Sequence, residues 1–175
     1  MNFEPKDIAE KFDKYLTLKG LTFSGIVVGG SALVLLDIID RSTKDFDLLD
    51  SDIPAEILDA AKDFASIENL SEQWLNCGPS ELVDYLPKDW RLNLELIFSG
   101  ESLTLHTIAM LELLKAKVWA YCDRTKDYTD IIAMAPSSEE LEVVREWLYP
   151  LDAHPGCKKW FDKCIEKLNS GLNYG

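Results

Sequence analysis

The sequence predicts an α/β front half followed by an all-helical back half. Strand-like and helical segments alternate in the first part of the chain, and RLNLELIF (residues 91–98) alternates apolar and polar residues as a half-buried strand does. From Thr107 onward the apolar residues recur at helical spacing. We therefore predict an α/β core over residues 1–106 and a helical part over residues 107–175, packed on that core as one compact unit.

Composition and charge limit the classes of function. The 175 residues are 47% hydrophobic and 28% charged, which is typical of a globular protein. The net charge of −13 repels polyanions and gives no general electrostatic surface for nucleic acid. No apolar run approaches the roughly 20 residues that span a bilayer, and the N-terminus lacks the apolar segment of a signal peptide. We expect a cytoplasmic protein that does not enter membranes.

Cysteine and histidine usage argues against several kinds of site. The chain has no C-x-x-C motif, and its two histidines are not paired with cysteines in a metal-ligand pattern, so we expect neither a zinc site nor a disulfide framework. The same shortage of histidine argues against a serine or cysteine hydrolase. The residues concerned are Cys77, Cys122, Cys157, Cys164, His106 and His154.

The elements of the front half follow from periodicity and from helix-stop residues. We predict a helix over residues 7–20 that ends at Gly20, a buried strand over 22–30 that ends in two glycines, and a short apolar helix over 31–40. A second strand over 44–50 places Asp45 and Asp47 opposite Phe46 and Leu48. A helix over 54–65 follows, and residues 67–90 are expected to be irregular. In the back half we predict helices over 107–122, 126–135, 137–148 and 156–169.

A glycine turn precedes the first short helix. Gly29 and Gly30 end a strand, and Ser31 opens the helix. Such a turn leaves backbone N–H groups available to an anion, and glycine lets a phosphate approach the backbone closely. A plain strand–helix turn is the alternative, because glycine pairs commonly form turns.

Two aspartates on one strand face predict a cation site. Asp45 and Asp47 are two residues apart, so their carboxylates share a face, and a hard cation such as Mg²⁺ would relieve their repulsion. A third carboxylate on a neighbouring strand would allow two metals, and Glu95 is the candidate if its face meets that of the aspartates. Asp84 is a poorer candidate. The alternative is that these acids, Glu95 included, face solvent in an acidic region.

These residues together carry a family resemblance. Gly29-Gly30-Ser31-Ala32, a short helix and Arg41-x-Thr43-x-Asp45-x-Asp47 resemble the signature of the DNA-polymerase-β-like nucleotidyltransferase superfamily. The chain is most similar to small bacterial members related to abortive-infection and toxin–antitoxin systems. A later segment adds to the resemblance through Lys117, Arg124, Lys126, Asp127 and Asp130.

The resemblance implies a small mixed sheet flanked by helices, and it implies roles for individual residues. Gly29, Gly30 and Ser31 would hold the triphosphate of an NTP such as ATP. Asp45 and Asp47, with Glu95, would bind Mg²⁺ or Mn²⁺ and carry catalysis. Lys117 would reach the phosphates, although a lysine on such a helix is more often solvated. Arg41 and Thr43 would contact the nucleotide or orient the loop between the helix and the strand. From the residues themselves, we expect Asp127 and Asp130 to cap a helix and pair with Arg124.

The implied activity is transfer of a nucleotide from an NTP to a hydroxyl acceptor. The acceptor would be a protein, a small molecule or tRNA, and the negative charge makes tRNA the least favoured. A partner protein in a toxin–antitoxin or defence system is a further expectation. The alternative is a nucleotide-binding or protein-interaction module of the same fold without catalysis.

Overall fold

A computed structural model describes residues 4–49, 52–124, 126–152 and 154–172. The chain forms two compact units, Met1–Ala109 and Met110–Gly175. The first unit has a mixed sheet flanked by helices, and the second has helices alone. The α/β fold class predicted from the sequence is confirmed.

The first unit contains three helices and five strands. Its helices are α1 (Pro5–Lys19), α2 (Gly29–Leu35) and α3 (Ala55–Glu68). Its strands are β1 (Phe23–Val28), β2 (Phe46–Leu48), β3 (Leu75–Asn76), β4 (Glu95–Ser99) and β5 (Leu103–Thr107). Two 3₁₀ turns, Ser80–Tyr85 and Trp90–Asn93, connect β3 to β4.

The strands lie in the order β3-β2-β1-β5-β4, with β1 in the centre of the sheet. Strand β1 pairs with β2 in antiparallel fashion, and Val28 lies opposite Asp47. On its other side β1 runs parallel to β5, with Ile26 opposite His106. Strand β2 also runs parallel to β3, with Asp47 opposite Asn76. Asp47 therefore has a paired neighbour on each side.

An aromatic cluster fixes one face of β2 and the start of β3. The Phe46 ring lies 5.9 Å from the ring of Trp74, and Trp74 lies 5.0 Å from Phe12 of α1 and 5.4 Å from Phe64 of α3. Trp74 is fully buried, and its indole N–H donates to the backbone carbonyl of Ala61 over 2.9 Å. With one face of β2 buried in this way, Asp45 and Asp47 are left on the other face, as the alternation predicted.

The structure departs from the prediction at α2, which spans Gly29–Leu35 where a helix over 31–40 after a strand over 22–30 was predicted, and most widely between residues 67 and 107. The predicted strand over 91–98 begins only at Glu95, because residues 90–93 form a 3₁₀ turn. Leu92 and Leu96 are 84% and 59% exposed, so the alternation there does not mark a buried face. Strands β3 and β5 were not predicted. Strand β5 is buried at alternate positions and pairs with β1, so its place comes from long-range pairing.

The second unit contains α4 (Met110–Arg124), α5 (Tyr128–Met134), α6 (Ser138–Leu148) and α7 (Pro155–Leu172). Its core includes Val118, Ile131, Val144 and Leu168, each fully buried. Helix α6 begins with a capping box in which Ser137 and Glu140 bond each other's backbone N–H groups. Among the described residues, no helix is long and apolar enough to cross a membrane.

Candidate active site around Asp47 and the glycine turn

The predicted glycine turn lies directly against Asp47. Gly29 begins α2 with a φ of +75°, a conformation that side chains disfavour. A Cβ at Gly29 would lie 3.1 Å from Asp47 Oδ2. Both the backbone angle and the space therefore require glycine, and the two features found in the sequence meet in one site.

Arg41 and Thr43 lie over the second glycine. A Cβ at Gly30 would be 3.1 Å from a terminal guanidinium nitrogen of Arg41 and 3.2 Å from the Thr43 methyl carbon. The hydroxyl of Ser31 shares a 2.8 Å hydrogen bond with that of Thr43 and also donates to the backbone carbonyl of Asp45. Ser31 is buried, so in this structure its hydroxyl ties α2 to the loop before β2.

Asp45 and Asp47 form a half-buried acidic pair. Asp45 precedes β2 and Asp47 lies within it, on the face opposite Phe46 and Leu48. Burial raises the pKa of the Asp45 carboxyl, and the nearby charge of Asp47 raises this pKa further, against a smaller lowering by Lys44. The pair therefore carries electrostatic strain that a cation would relieve.

A polar cavity opens on the side of Asp47 that faces β3. A Cβ at Gly78 would lie 3.7 Å from Asp47 Oδ1, so the two carboxylate oxygens face different surroundings. The cavity measures about 310 Å³. Its lining consists of Lys44, Asp45, Asp47, Ser71, Gln73 and Asn76. Sequence reasoning missed the last three residues, because they lie in a segment without clear periodicity.

Glu95 lies apart from the two aspartates. Strand β4 is at the sheet edge, and β1 and β5 separate it from β2, which amounts to three strand spacings or roughly 14 Å. Leu96 pairs with His106, and His106 pairs with Ile26, so these three side chains lie on one face of the sheet. Val28 shares that face with Ile26 and pairs with Asp47, so Asp47 lies on the same face as Leu96. Glu95, one residue before Leu96, points to the opposite face. The structure does not bring Glu95 to the aspartates.

No other acid completes a three-ligand group in the part of the chain that the structure describes. Among these residues, no cluster of three or more histidine, cysteine, aspartate or glutamate side chains is placed to hold a metal ion. Asp84 lies exposed in the 3₁₀ turn Ser80–Tyr85. The site therefore offers two carboxylates rather than the expected three.

Lys117 lies in the second unit, where its ammonium group is buried and paired. It donates to Asp127 Oδ1 over 2.8 Å and to Asp130 Oδ2 over 2.6 Å. Arg124 also donates to Asp127, over 3.2 Å, while 60% of its own side chain is exposed. The pairing of Asp127 with Arg124 that the sequence suggested is present, and Lys117 joins it.

The donor set of the acidic pair suits a hard divalent cation. Asp45 and Asp47 supply carboxylate oxygens, and Mg²⁺ is commonly held by one or two carboxylates together with water and substrate phosphates. Burial and, to a smaller extent, the charge of Asp47 raise the pKa of Asp45, and a bound cation would offset both effects by favouring the ionised carboxylate. The residues therefore fit Mg²⁺ or Mn²⁺ if phosphate oxygens and water complete the coordination.

Comparison with known proteins gives one match. A family model described as a nucleotidyltransferase of unknown function (DUF6036) matches residues 6–150, which include the glycine turn, both aspartates, Glu95 and Lys117. No match was found among curated proteins or solved structures.

Proposed function

The chain belongs to this family of nucleotidyltransferases, and we propose that it transfers a nucleotide from an NTP to a hydroxyl acceptor with the help of a divalent cation. One observation supports the proposal above the others. Asp47, half of an acidic pair, lies against the Gly29 backbone where the glycine turn begins. A cation site and a turn open to phosphate are thus adjacent, as transfer from a triphosphate requires.

The chain's own residues would position the triphosphate. Asp45 and Asp47 would hold Mg²⁺ or Mn²⁺, which when bound neutralises charge on the phosphate oxygens. Gly29 and Gly30 let the backbone of the turn lie close to Asp47 and to Arg41, and Arg41 brings positive charge to Gly30. Such reactions depend mostly on positioning and on electrostatic stabilisation of the charged phosphates. Holding and neutralising the triphosphate is therefore the role that we assign to these residues.

In the proposed reaction, an acceptor hydroxyl oxygen attacks the α-phosphorus and pyrophosphate leaves. The net charge of −13 favours a small-molecule or protein acceptor over tRNA, because binding to a nucleic acid depends on basic contacts with phosphate. The resemblance to toxin–antitoxin and abortive-infection relatives adds a partner protein to the proposal. Co-expression with the product of the neighbouring gene, followed by purification of the complex, tests that part.

Calorimetric titration tests the nucleotide and metal site. We expect at least one of ATP, GTP, CTP and UTP to bind in the presence of Mg²⁺ or Mn²⁺, and binding to be lost in the double variant Asp45→Asn/Asp47→Asn. The exposed aspartate Asp59 of α3 provides the control Asp59→Asn, which should bind as wild type does. Metal-independent binding, or binding that survives in the double variant, would contradict the proposed site.

A nucleotide-binding module without catalysis is the second candidate, and the position of Glu95 favours it. Two carboxylates alone, with Glu95 on the opposite sheet face, provide fewer metal ligands than a two-metal site needs. Pyrophosphate release distinguishes the two candidates. Release that depends on Asp45 and Asp47 supports transfer, whereas tight metal-dependent binding without any release supports the module.

A further inference from the structure

We propose that the polar cavity beside Asp47, lined in part by Ser71, Gln73 and Asn76, is the acceptor subsite and takes a small, hydroxyl-rich acceptor of the sugar class. The inference rests on the proposed function, since it assigns the acceptor to the same site. Nothing about this cavity follows from family membership alone.

The cavity lies beside Asp47, on the side of β2 that faces β3. A Cβ at Gly29 would lie 3.1 Å from Asp47 Oδ2, and a Cβ at Gly78 would lie 3.7 Å from Oδ1. Asp47 also lines the cavity, whose other wall is formed by residues in and before β3, the strand that pairs with β2 on the side away from β1. In an in-line displacement the attacking and leaving oxygens lie on opposite sides of the phosphorus. If pyrophosphate leaves on the glycine-turn side, the attacking hydroxyl arrives from the cavity side.

The cavity is lined by polar and charged residues. The six residues around the cavity are two aspartates, one lysine, one serine, one glutamine and one asparagine, with no aromatic or aliphatic side chain among them. A nucleobase is usually held by stacking on aromatic side chains, which this cavity does not offer. Hydroxyl groups, in contrast, both donate and accept, and so match amide, hydroxyl and carboxylate groups.

The cavity is small, and part of its wall is held in place by buried and hydrogen-bonded residues. At about 310 Å³ the cavity is at the small end of ligand pockets, which suits a group of roughly one sugar ring rather than a protein surface. Trp74, which follows Gln73 in the chain and precedes β3, holds this wall of the cavity in place. It is fully buried, and its indole N–H donates a hydrogen bond to the backbone carbonyl of Ala61. Asn76 Oδ1 accepts a 2.7 Å hydrogen bond from the Gly78 N–H, which fixes this amide as well.

The proposed step is balanced without any further reactant. A sugar hydroxyl oxygen forms a bond to the α-phosphorus of the NTP, and the bond between that phosphorus and the bridging oxygen to the β-phosphorus breaks. Pyrophosphate carries away the electron pair, and the hydroxyl proton passes to water. The product is a phosphodiester, in which a nucleoside monophosphate is joined through its phosphate to the sugar oxygen.

The variant Gln73→Leu tests the subsite with little risk to the fold, because Gln73 is exposed. With α-³²P-labelled NTP, Mg²⁺ and D-ribose, D-glucose or myo-inositol as probes, we expect wild type to label at least one sugar. Gln73→Leu should raise KM for that sugar by about tenfold, the effect of losing one hydrogen bond, and leave the Kd of the NTP unchanged. The control Lys62→Leu puts leucine on an exposed position of α3 and should match wild type in both.

Other outcomes would overturn the assignment. If Gln73→Leu weakens NTP binding to the same extent as Asp47→Asn, the cavity holds the nucleotide and not the acceptor. If wild type binds the NTP but labels none of the sugars, the acceptor class is wrong, and label on added protein or RNA would show which class replaces it.

A second measurement separates this inference from the proposed function. Saturation-transfer NMR with the same three sugars, without nucleotide or metal, reports on the cavity alone. Sugar binding that is lost in Gln73→Leu supports the subsite even if no NTP binds, in which case only the proposed function fails. Absence of sugar contacts in a protein that binds NTP overturns the subsite and leaves the proposed function standing.

Discussion

The Asp47 carboxylate lies close beside the backbone of Gly29: a Cβ at position 29 would stand 3.1 Å from Asp47 Oδ2. The pairing of Val28 with Asp47 across β1 and β2 creates this contact, because Gly29 is the next residue along the chain. The glycine turn and the acidic pair are thus joined by sheet register. The first two predictions test the two halves of this contact separately.

Replacing Gly29 by alanine should cost stability and nucleotide binding together. A residue with a Cβ at positive φ costs about 1–2 kcal/mol, and the new methyl would press on the Asp47 carboxylate. Gly20→Ala is a matched control, since Gly20 has a φ of +66° and nothing within 4 Å of its Cβ position. Urea unfolding should show a loss in Gly29→Ala at least as large as that in Gly20→Ala, and calorimetry a loss of Mg²⁺-dependent NTP binding in Gly29→Ala alone. Equal binding in the two variants would contradict the role of the contact.

Removing the charge of Asp47 should abolish metal-dependent binding without unfolding the protein. Asp47 is half-buried and lies beside Asp45, so Asp47→Asn removes a repulsion while it keeps the size of the side chain. We expect the melting temperature of the metal-free variant to be at least that of wild type, and the stabilisation by Mg²⁺ with NTP to disappear. Differential scanning calorimetry with and without ligand measures both. A variant that melts well below wild type would show that Asp47 has a structural role instead.

The pH dependence of stability should carry a contribution from Asp45. Its pKa is raised in the folded protein, first by burial and then by Asp47, so between the ordinary carboxyl pKa and the raised one the folded state keeps a proton that the unfolded state has lost. The free energy of unfolding therefore falls as pH rises through this window. This loss is absent below the ordinary pKa and complete above the raised one.

The variant Asp45→Asn removes that contribution. Urea unfolding of the metal-free protein in a pH series should show a shallower fall in this window for Asp45→Asn than for wild type. Asp59→Asn, at an exposed position of α3, should keep the wild-type slope. Identical slopes in all three proteins would mean that Asp45 titrates alike in the folded and unfolded states.

Breaking the buried ion pairs of Lys117 should strongly destabilise the second unit. Lys117→Met leaves Asp127 and Asp130 buried without the Lys117 ammonium group. Removing one partner of a buried ion pair lowers the free energy of unfolding by about 3–5 kcal/mol, and we expect a loss of this size. Arg124 is also a partner of Asp127, but 60% of the Arg124 side chain is exposed. Arg124→Met should therefore lower the free energy of unfolding by less than about 1 kcal/mol. Chemical unfolding compares the two variants, and similar losses would contradict the difference in burial.

The predicted contact of Lys117 with phosphate needs a variant that keeps the unit folded. Lys117→Met/Asp127→Asn/Asp130→Asn removes the ammonium group and both buried charges, so its stability should recover most of the loss of Lys117→Met. If Lys117 reaches the triphosphate, NTP affinity falls in this folded triple variant. Unchanged affinity, measured by calorimetry, would leave Lys117 a purely structural role.

The sequence by itself determined the acidic pair and its glycine turn. Alternation over residues 45–48 placed the two aspartates opposite Phe46 and Leu48, and this holds because successive side chains on a strand point to opposite faces whatever the strand pairs with. The two glycines, which are the first residues of α2 and not the last of β1, and the glycine that ends α1 were likewise local features. Gly20, for example, ends α1 at positive φ, as its position in the sequence indicated.

Only the tertiary structure decided which side chains meet. The alternation of residues along a strand does not show which strands are neighbours, so the sequence matched Glu95 with the aspartates. In the structure β4 lies at the far edge of the sheet, and Glu95 lies on the face opposite Asp47. The cavity around Gln73 and Asn76 exists because Trp74 is buried among residues distant in sequence. Strand order, register and such anchors depend on contacts between distant segments, and local periodicity carries no information about them.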